Sequence, residues 1–273
     1  MVALVACHAK PAKTRDAGGP APPPADPLAS LLEAAASADP SELERAALRL
    51  HEAVLVSAMG DVRREVRYAA LDAAPLGARP WATFGALVDR LADRDRETAS
   101  RAAASALEIV DRLDPRTLPA DEMVGTDLAP AAARATKVAG DVRLGPDVRV
   151  AAARIVARLR EVTDAGVEPL LALADDPDPA VRHAGLETLR AWGPALRPHA
   201  AKLEAALRRD DDPRTGLLAA AAICAAAPLP DAVAARAREL LPRGRWSDRL
   251  LLAPCLDPEP AERPRPRKRP PRK

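Results

Sequence analysis

The chain of 273 residues carries 41 Lys/Arg against 39 Asp/Glu, for a formal net charge of +2, and only five aromatic residues. It is long enough to bury a sizeable core without staples. Its three cysteines, Cys7, Cys224 and Cys255, stand far apart with no Cys-x-x-Cys and no close histidine, which speaks against a disulfide framework and a structural zinc site. The last eleven residues hold seven Lys/Arg and no acid, leaving 34 basic against 39 acidic residues elsewhere, so a basic tail follows an acidic body.

Alanine dominates the apolar fraction, and the aromatics are Tyr68, Trp81, Phe84, Trp192 and Trp246. Alanine has the best helix propensity, while strands are enriched in β-branched and aromatic residues, so the chain reads as all-α. Residues 1–27 form an N-terminal segment whose Pro/Gly-rich run lacks the apolar side chains to repay ordering. Within it, Leu4-Val5-Ala6-Cys7 resembles a bacterial lipobox with Cys7 as the lipidation site, although only six residues precede that cysteine. A start upstream of Met1 would supply the missing leader and place the protein on the cell envelope. The alternative is a chance match in a cytoplasmic chain. Residues 28–256 are the folded part, and residues 257–273 form a basic Pro/Arg-rich tail.

Helices are expected in pairs. A short segment at 28–37 caps the start, and Asp39-Pro40-Ser41 opens a helix over 40–59 that closes at Gly60. A second kind of helix follows, with a stripe of small and apolar residues. From Val66 the stripe continues through Ala69, Ala70, Ala73, Ala74 and Gly77. Further first helices are expected over 80–92, 126–139, 166–175 and 195–209, and further second helices from Ala99, Val148, Val181 and Thr215. The five anchors are spaced by 33, 49, 33 and 34 residues, with the extra length placed within 111–140. A last pair, about 230–241 and 246–255, closes the array. Asp/Pro/Gly turns such as 174–179 and 209–213 suit tight connections between helices.

The stretch DDPDPAVRHAGLETLRAWG resembles the second half of a bacterial HEAT repeat of the type also called phycobilisome-lyase-like, with its Asp-x-x-Val-Arg followed by small residues. RREVRYAALDA and GPDVRVAAARIVARL share the Val-Arg-x-Ala core, while the units at Ala99 and Thr215 keep only the spacing and small residues. The aspartate three residues before the anchor is found as Asp178 and Asp212. The resemblance covers roughly 40–228 and implies an α-α superhelix, a right-handed α-solenoid of about five to six HEAT-like pairs serving as a binding scaffold.

The arginines that follow the anchors, Arg67, Arg149 and Arg182, are expected to bridge turns of adjacent repeats. The resemblance puts the second helix of each pair on the inner curve. The polar positions of those helices, Arg154, Arg158, His183, Glu187 and Arg190, are therefore the candidate partner contacts. Their mixed signs favour a protein partner over nucleic acid. His183 and Glu187, one turn apart, read as a surface pair rather than half of a metal site. The tail RPRPRKRPPRK offers a contact for nucleic acid, anionic lipid or the acidic body itself, without interleaved aromatics for base stacking.

No Gly-rich phosphate loop, nucleophile elbow or dinucleotide fingerprint is present, and Cys224 in LLAAAAICAAA reads as a core residue. No catalytic residue, cofactor or metal is expected. The protein is expected to be a monomeric protein-interaction scaffold, reaching membrane only through lipidation of Cys7. The alternatives are a nucleic-acid binder using the tail and inner arginines, or an enzyme of the lyase or glycosylase kind found among HEAT-like proteins.

Overall fold

The computed structural model describes residues 27–37, 39–112, 128–160, 167–208 and 212–256. The N-terminal segment with Cys7, most of the stretched interval and the basic tail lie outside the described residues. Among the described residues the protein is all-helical, with no strand. In chain order the α-helices are α1 (Pro27–Ala36), α2 (Pro40–Leu48), α3 (Glu52–Ala58), α4 (Arg64–Ala73), α5 (Pro80–Arg90), α6 (Arg96–Arg112), α7 (Leu128–Gly140), α8 (Pro146–Leu159), α9 (Glu168–Leu171), α10 (Pro179–Arg190), α11 (Ala200–Leu207), α12 (Pro213–Ala226), α13 (Asp231–Leu240) and α14 (Trp246–Leu256).

Helices pack against their neighbours in sequence. From α3 onward each odd-numbered helix packs on the even-numbered one that follows, and α4, α6, α8, α10, α12 and α14 form a row in which each touches the next. The odd-numbered helices α3, α5, α7 and α9 make a second row, which α11 and α13 extend through the 3-10 turn Ala172–Asp175. α1 and α2 pack together and onto α4 at the N-terminal end. The core lies between the rows and is built largely from alanine, leucine and valine. Small side chains let helix axes approach closely, which suits the alanine-rich stripes. α12 is buried nearly all round, as a helix apolar on every side must be, between α10, α11, α13 and α14.

Several expected first helices are interrupted. The span 40–59 divides at Arg49–His51, where the His51 Nδ1 accepts from the Ala53 backbone N–H at 3.2 Å and starts α3 afresh. The span 166–175 contains only the short α9 before the 3-10 turn. The span 195–209 begins as the 3-10 helix Gly193–His199, with Pro194 at its start and Pro198 inside it, and becomes α-helical only at Ala200. Proline lacks the N–H that an α-helix interior requires. Gly193 has a φ of 52°, in the left-handed region that favours glycine, and this separates α10 from that segment.

One correction concerns covalent structure. Cys224 on α12 and Cys255 on α14 form a disulfide, with Cα atoms 6.2 Å apart and a sequence separation of 31. Cys224 is half-buried rather than a core residue. A separation of 31 residues gives no local spacing signal. Only the return of α14 onto α12 brings the two sulfurs together.

Candidate partner-binding surface

The turns that enter the even-numbered helices share one local device. Asp61, Asp93, Asp141 and Asp176 each accept the backbone N–H two residues ahead, at 2.8, 2.9, 3.1 and 3.0 Å. Such Asx turns let a short side chain stand in for a backbone partner. In two of them the aspartate also clasps the arginine two residues on. Arg63 with Asp61 and Arg143 with Asp141 make fork-like pairs, which pull both carboxyls down to about 2. Val62 and Val142, between the paired residues, are 93% and 66% exposed. Sequence reasoning missed this recurrence because only the aspartate is common to all four turns.

The anchor arginines run from these turns to the next repeat. Arg67 donates to the Asp61 and Val62 carbonyls and to Asp95, at 2.9, 3.1 and 3.3 Å. Arg182 repeats the pattern with the Asp176 and Pro177 carbonyls and Asp212, at 2.9, 3.1 and 2.7 Å. Arg149 instead reaches the Ala139 carbonyl at 3.1 Å and the Asp176 carboxylate. Arg182 is only 5% exposed and Arg149 only 3%. Each guanidinium is taken from water because fixed oxygens replace its hydration shell.

The aspartates that receive these arginines sit at helix starts. The Thr215 side-chain hydroxyl and backbone N–H donate to Asp212, at 2.6 and 3.2 Å. Burial opposes ionisation of Asp212, but the Thr215 and Arg182 hydrogen bonds hold its carboxyl far below the ordinary value. Asp95 is arranged in the same way, with Thr98 donating at 2.9 Å and Tyr68 at 3.0 Å. The Thr98 bond lowers the Asp95 pKa, helped by Tyr68 and Arg67. By this capping pattern Thr98, not Ala99, is level with Thr215. Asp95 therefore joins Asp178 and Asp212 as an aspartate three residues before the anchor.

The candidate contacts divide. His183 is half-buried and lies 3.0 Å from Asp212 through Nε2. A carboxylate only accepts, so the neutral imidazole donates from Nε2. Burial lowers the His183 pKa, against the pull of the Asp212 charge. Glu187 pairs with Arg214 of α12 at 3.0 Å, not with His183. Arg158 of α8 pairs with Asp111 of α6 at 2.8 Å. Arg154 and Arg190 are exposed and have no ion-pair partner among the described residues.

These pairings form a ladder across the row of even-numbered helices. Arg101 of α6 bonds Asp72 of α4, Arg158 bonds Asp111, and Arg214 of α12 meets both Glu187 of α10 and Asp248 of α14. Among the described residues the outer ion pairs skip one step, from α8 to α10, where Arg154 and Arg190 are unpaired. The odd-numbered row is also bridged, by Arg79 with Glu52, Arg134 with Asp89, and Lys202 with Glu168.

Among the described residues no cluster of three or more His, Cys, Asp or Glu is placed to hold a metal ion. No helix there is long and apolar enough to cross a membrane. In comparisons with known proteins, no family model and no curated protein matches the chain.

Proposed function

We propose that the protein is a HEAT-like scaffold, a right-handed α-solenoid of about five to six helix pairs without catalytic machinery, which binds a protein partner along its even-numbered helices. The observation that carries this is the gap in the ion-pair ladder. The steps α4 to α6, α6 to α8, α10 to α12 and α12 to α14 are each bridged by an ion pair between side chains of the two helices, whereas Arg154 and Arg190, at the α8 to α10 step, are exposed and unpaired among the described residues. Two guanidiniums held on rigid helices suit bidentate recognition of carboxylates. His183 and Glu187 belong to the supporting network, and Arg158 to its edge.

The test is quantitative affinity capture with the intact protein and with the double variant R154E/R190E, read by mass spectrometry. A partner enriched at least about tenfold by the natural sequence and lost from the variant, with far-UV circular dichroism unchanged, is the expected result. An identical set of captured proteins would sink the proposal. Because both unpaired groups are cationic, nucleic acid is the second reading. A steep fall of measured affinity with salt, abolished by deleting residues 263–273, would establish that reading in place of the first.

Envelope attachment through Cys7 is favoured by one structural fact, the Cys224/Cys255 disulfide. Such bonds persist in oxidising compartments.

A further inference from the structure

We propose that the outer face of α14, at the C-terminal end of the packed rows, is a second docking surface whose occupant is an acidic amphipathic helix of a partner protein. It is distinct from the Arg154/Arg190 face and stands whether or not that face binds anything.

The helix is apolar on two sides. Asp248, Leu252 and Leu256, at i, i+4 and i+8, face inward and are buried. On the other side Trp246 is 72% and Leu250 53% exposed, one turn apart, followed by exposed Ala253 and Pro254. The other large exposed apolar residues, Leu48, Val56, Val62 and Val142, lie on four separate helices or turns. A helix face turned to water is ordinarily polar, and among the described residues nothing covers the apolar stripe of Trp246 and Leu250. The patch continues into an open groove of about 450 Å³ between α13 and α14, with Leu241, Pro242, Ala253 and Leu256 along it.

Charge decides the occupant. Arg245 and Arg249 flank the patch, exposed and without an ion-pair partner among the described residues. The single acid of α14, Asp248, is turned inward to 2% exposure, 3.6 Å from Arg214. The rim beside Trp246 and Leu250 is therefore basic. The chain's own residues 263–273, with seven Lys/Arg and no acid, would be repelled from it. A second copy docked symmetrically would set Arg245 and Arg249 against themselves. A helix carrying leucines on one side and glutamates beside them satisfies both the apolar stripe and the rim. The disulfide to Cys224 holds α14 in place, so little ordering cost is left to binding.

Trp246 supplies a local reporter once its emission is taken as the difference between the natural sequence and W246F, since Trp81 is 2% exposed and Trp192 half-buried. The full, oxidised chain is titrated with a synthetic amphipathic peptide of about 18 residues bearing leucines at helical spacing and glutamate elsewhere, and with its lysine counterpart. The expected result is a blue shift of tryptophan emission with the glutamate peptide, absent in W246F, and at least about tenfold weaker binding of the lysine peptide. L250E should weaken the glutamate peptide by a similar factor at unchanged Tm, and R249E should narrow the preference between the peptides.

Equal affinity for the two peptides, or no shift with either up to about millimolar concentration, overturns the proposal. A concentration-dependent blue shift without peptide, with dimer mass in sedimentation, assigns the face to a second copy and overturns it. Trp246 emission that reddens on deletion of residues 263–273 assigns the face to the chain's own tail and overturns it as well.

Discussion

Arg149 and Asp176 are nearly inaccessible to water, so neither can lose its partner cheaply. Asp176→Ala should cost about 3 to 5 kcal/mol in urea unfolding, because it strands a buried guanidinium. Replacing both residues by apolar side chains of matched size should cost much less, since the remaining charge is removed as well. At His183 the sign is set by burial, which lowers its pKa in the folded protein. Above about pH 6.5, the unfolded value, the group is neutral in both states. As pH falls below that point the unfolded chain gains the proton first, and stability declines until the folded pKa is passed. Asp212, also lowered, adds a further loss below about pH 4. The melting temperature should therefore drop between about pH 7 and 5, and His183→Gln should flatten that part of the profile. A drop of the same size in the variant would show that His183 carries none of it.

Individual helices illustrate how close packing overrides propensity. Alanine is the better helix former by about 1 kcal/mol, yet a Cβ at Gly185 on α10 would lie 2.5 Å from the Leu173 Cβ. Gly185→Ala should be destabilising by about 1 to 3 kcal/mol, the overpacking term exceeding the propensity gain. A stabilised variant would mean that α10 can move away from the 3-10 turn Ala172–Asp175. The disulfide acts on α12 and α14 in a different way, mainly by limiting the unfolded chain. For a separation of 31 residues the loop-entropy model gives about 3 to 4 kcal/mol. Reductant should lower Tm in the natural sequence and leave a C224S/C255S variant unmoved. Proline explains why α11 starts late, since Pro198 lies in the 3-10 segment before it. Pro198 and the Asp-rich turn beginning at Asp175 interrupt a hydrophobic pattern that would otherwise support longer helices.

At the level of the whole molecule, packing between sequence neighbours means that most buried surface belongs to adjacent elements. Ending the chain after Ala226 removes α13 and α14 and uncovers one side of α12. The shortened protein should keep helical circular dichroism from α1 to α11 while melting at a lower temperature. Wholesale loss of helix would instead mark a single core in which distant parts depend on one another. The all-helical class, the positions of the even-numbered helices and those of the end pair were legible beforehand, because helix propensity and stripes at i, i+3, i+4 and i+7 are local. The interruptions at Arg49–His51 and Gly193–His199 were less so, since hydrophobic spacing continues across them while caps and prolines stop the helix.

The candidate surface was legible only in outline. Arg154, Arg158, His183, Glu187 and Arg190 follow from helical spacing, but spacing does not tell which are neutralised. That depends on Asp111, Asp212 and Arg214, which lie 27 to 47 residues away and meet these side chains only once the helices stack. Cys224 and Cys255 are the same case in covalent form. Helix type and register are written locally, in propensity, caps and apolar period. Which charges are buried, which are left in water, and which thiols meet are decided by contacts between elements, and those distances exist only in the folded chain.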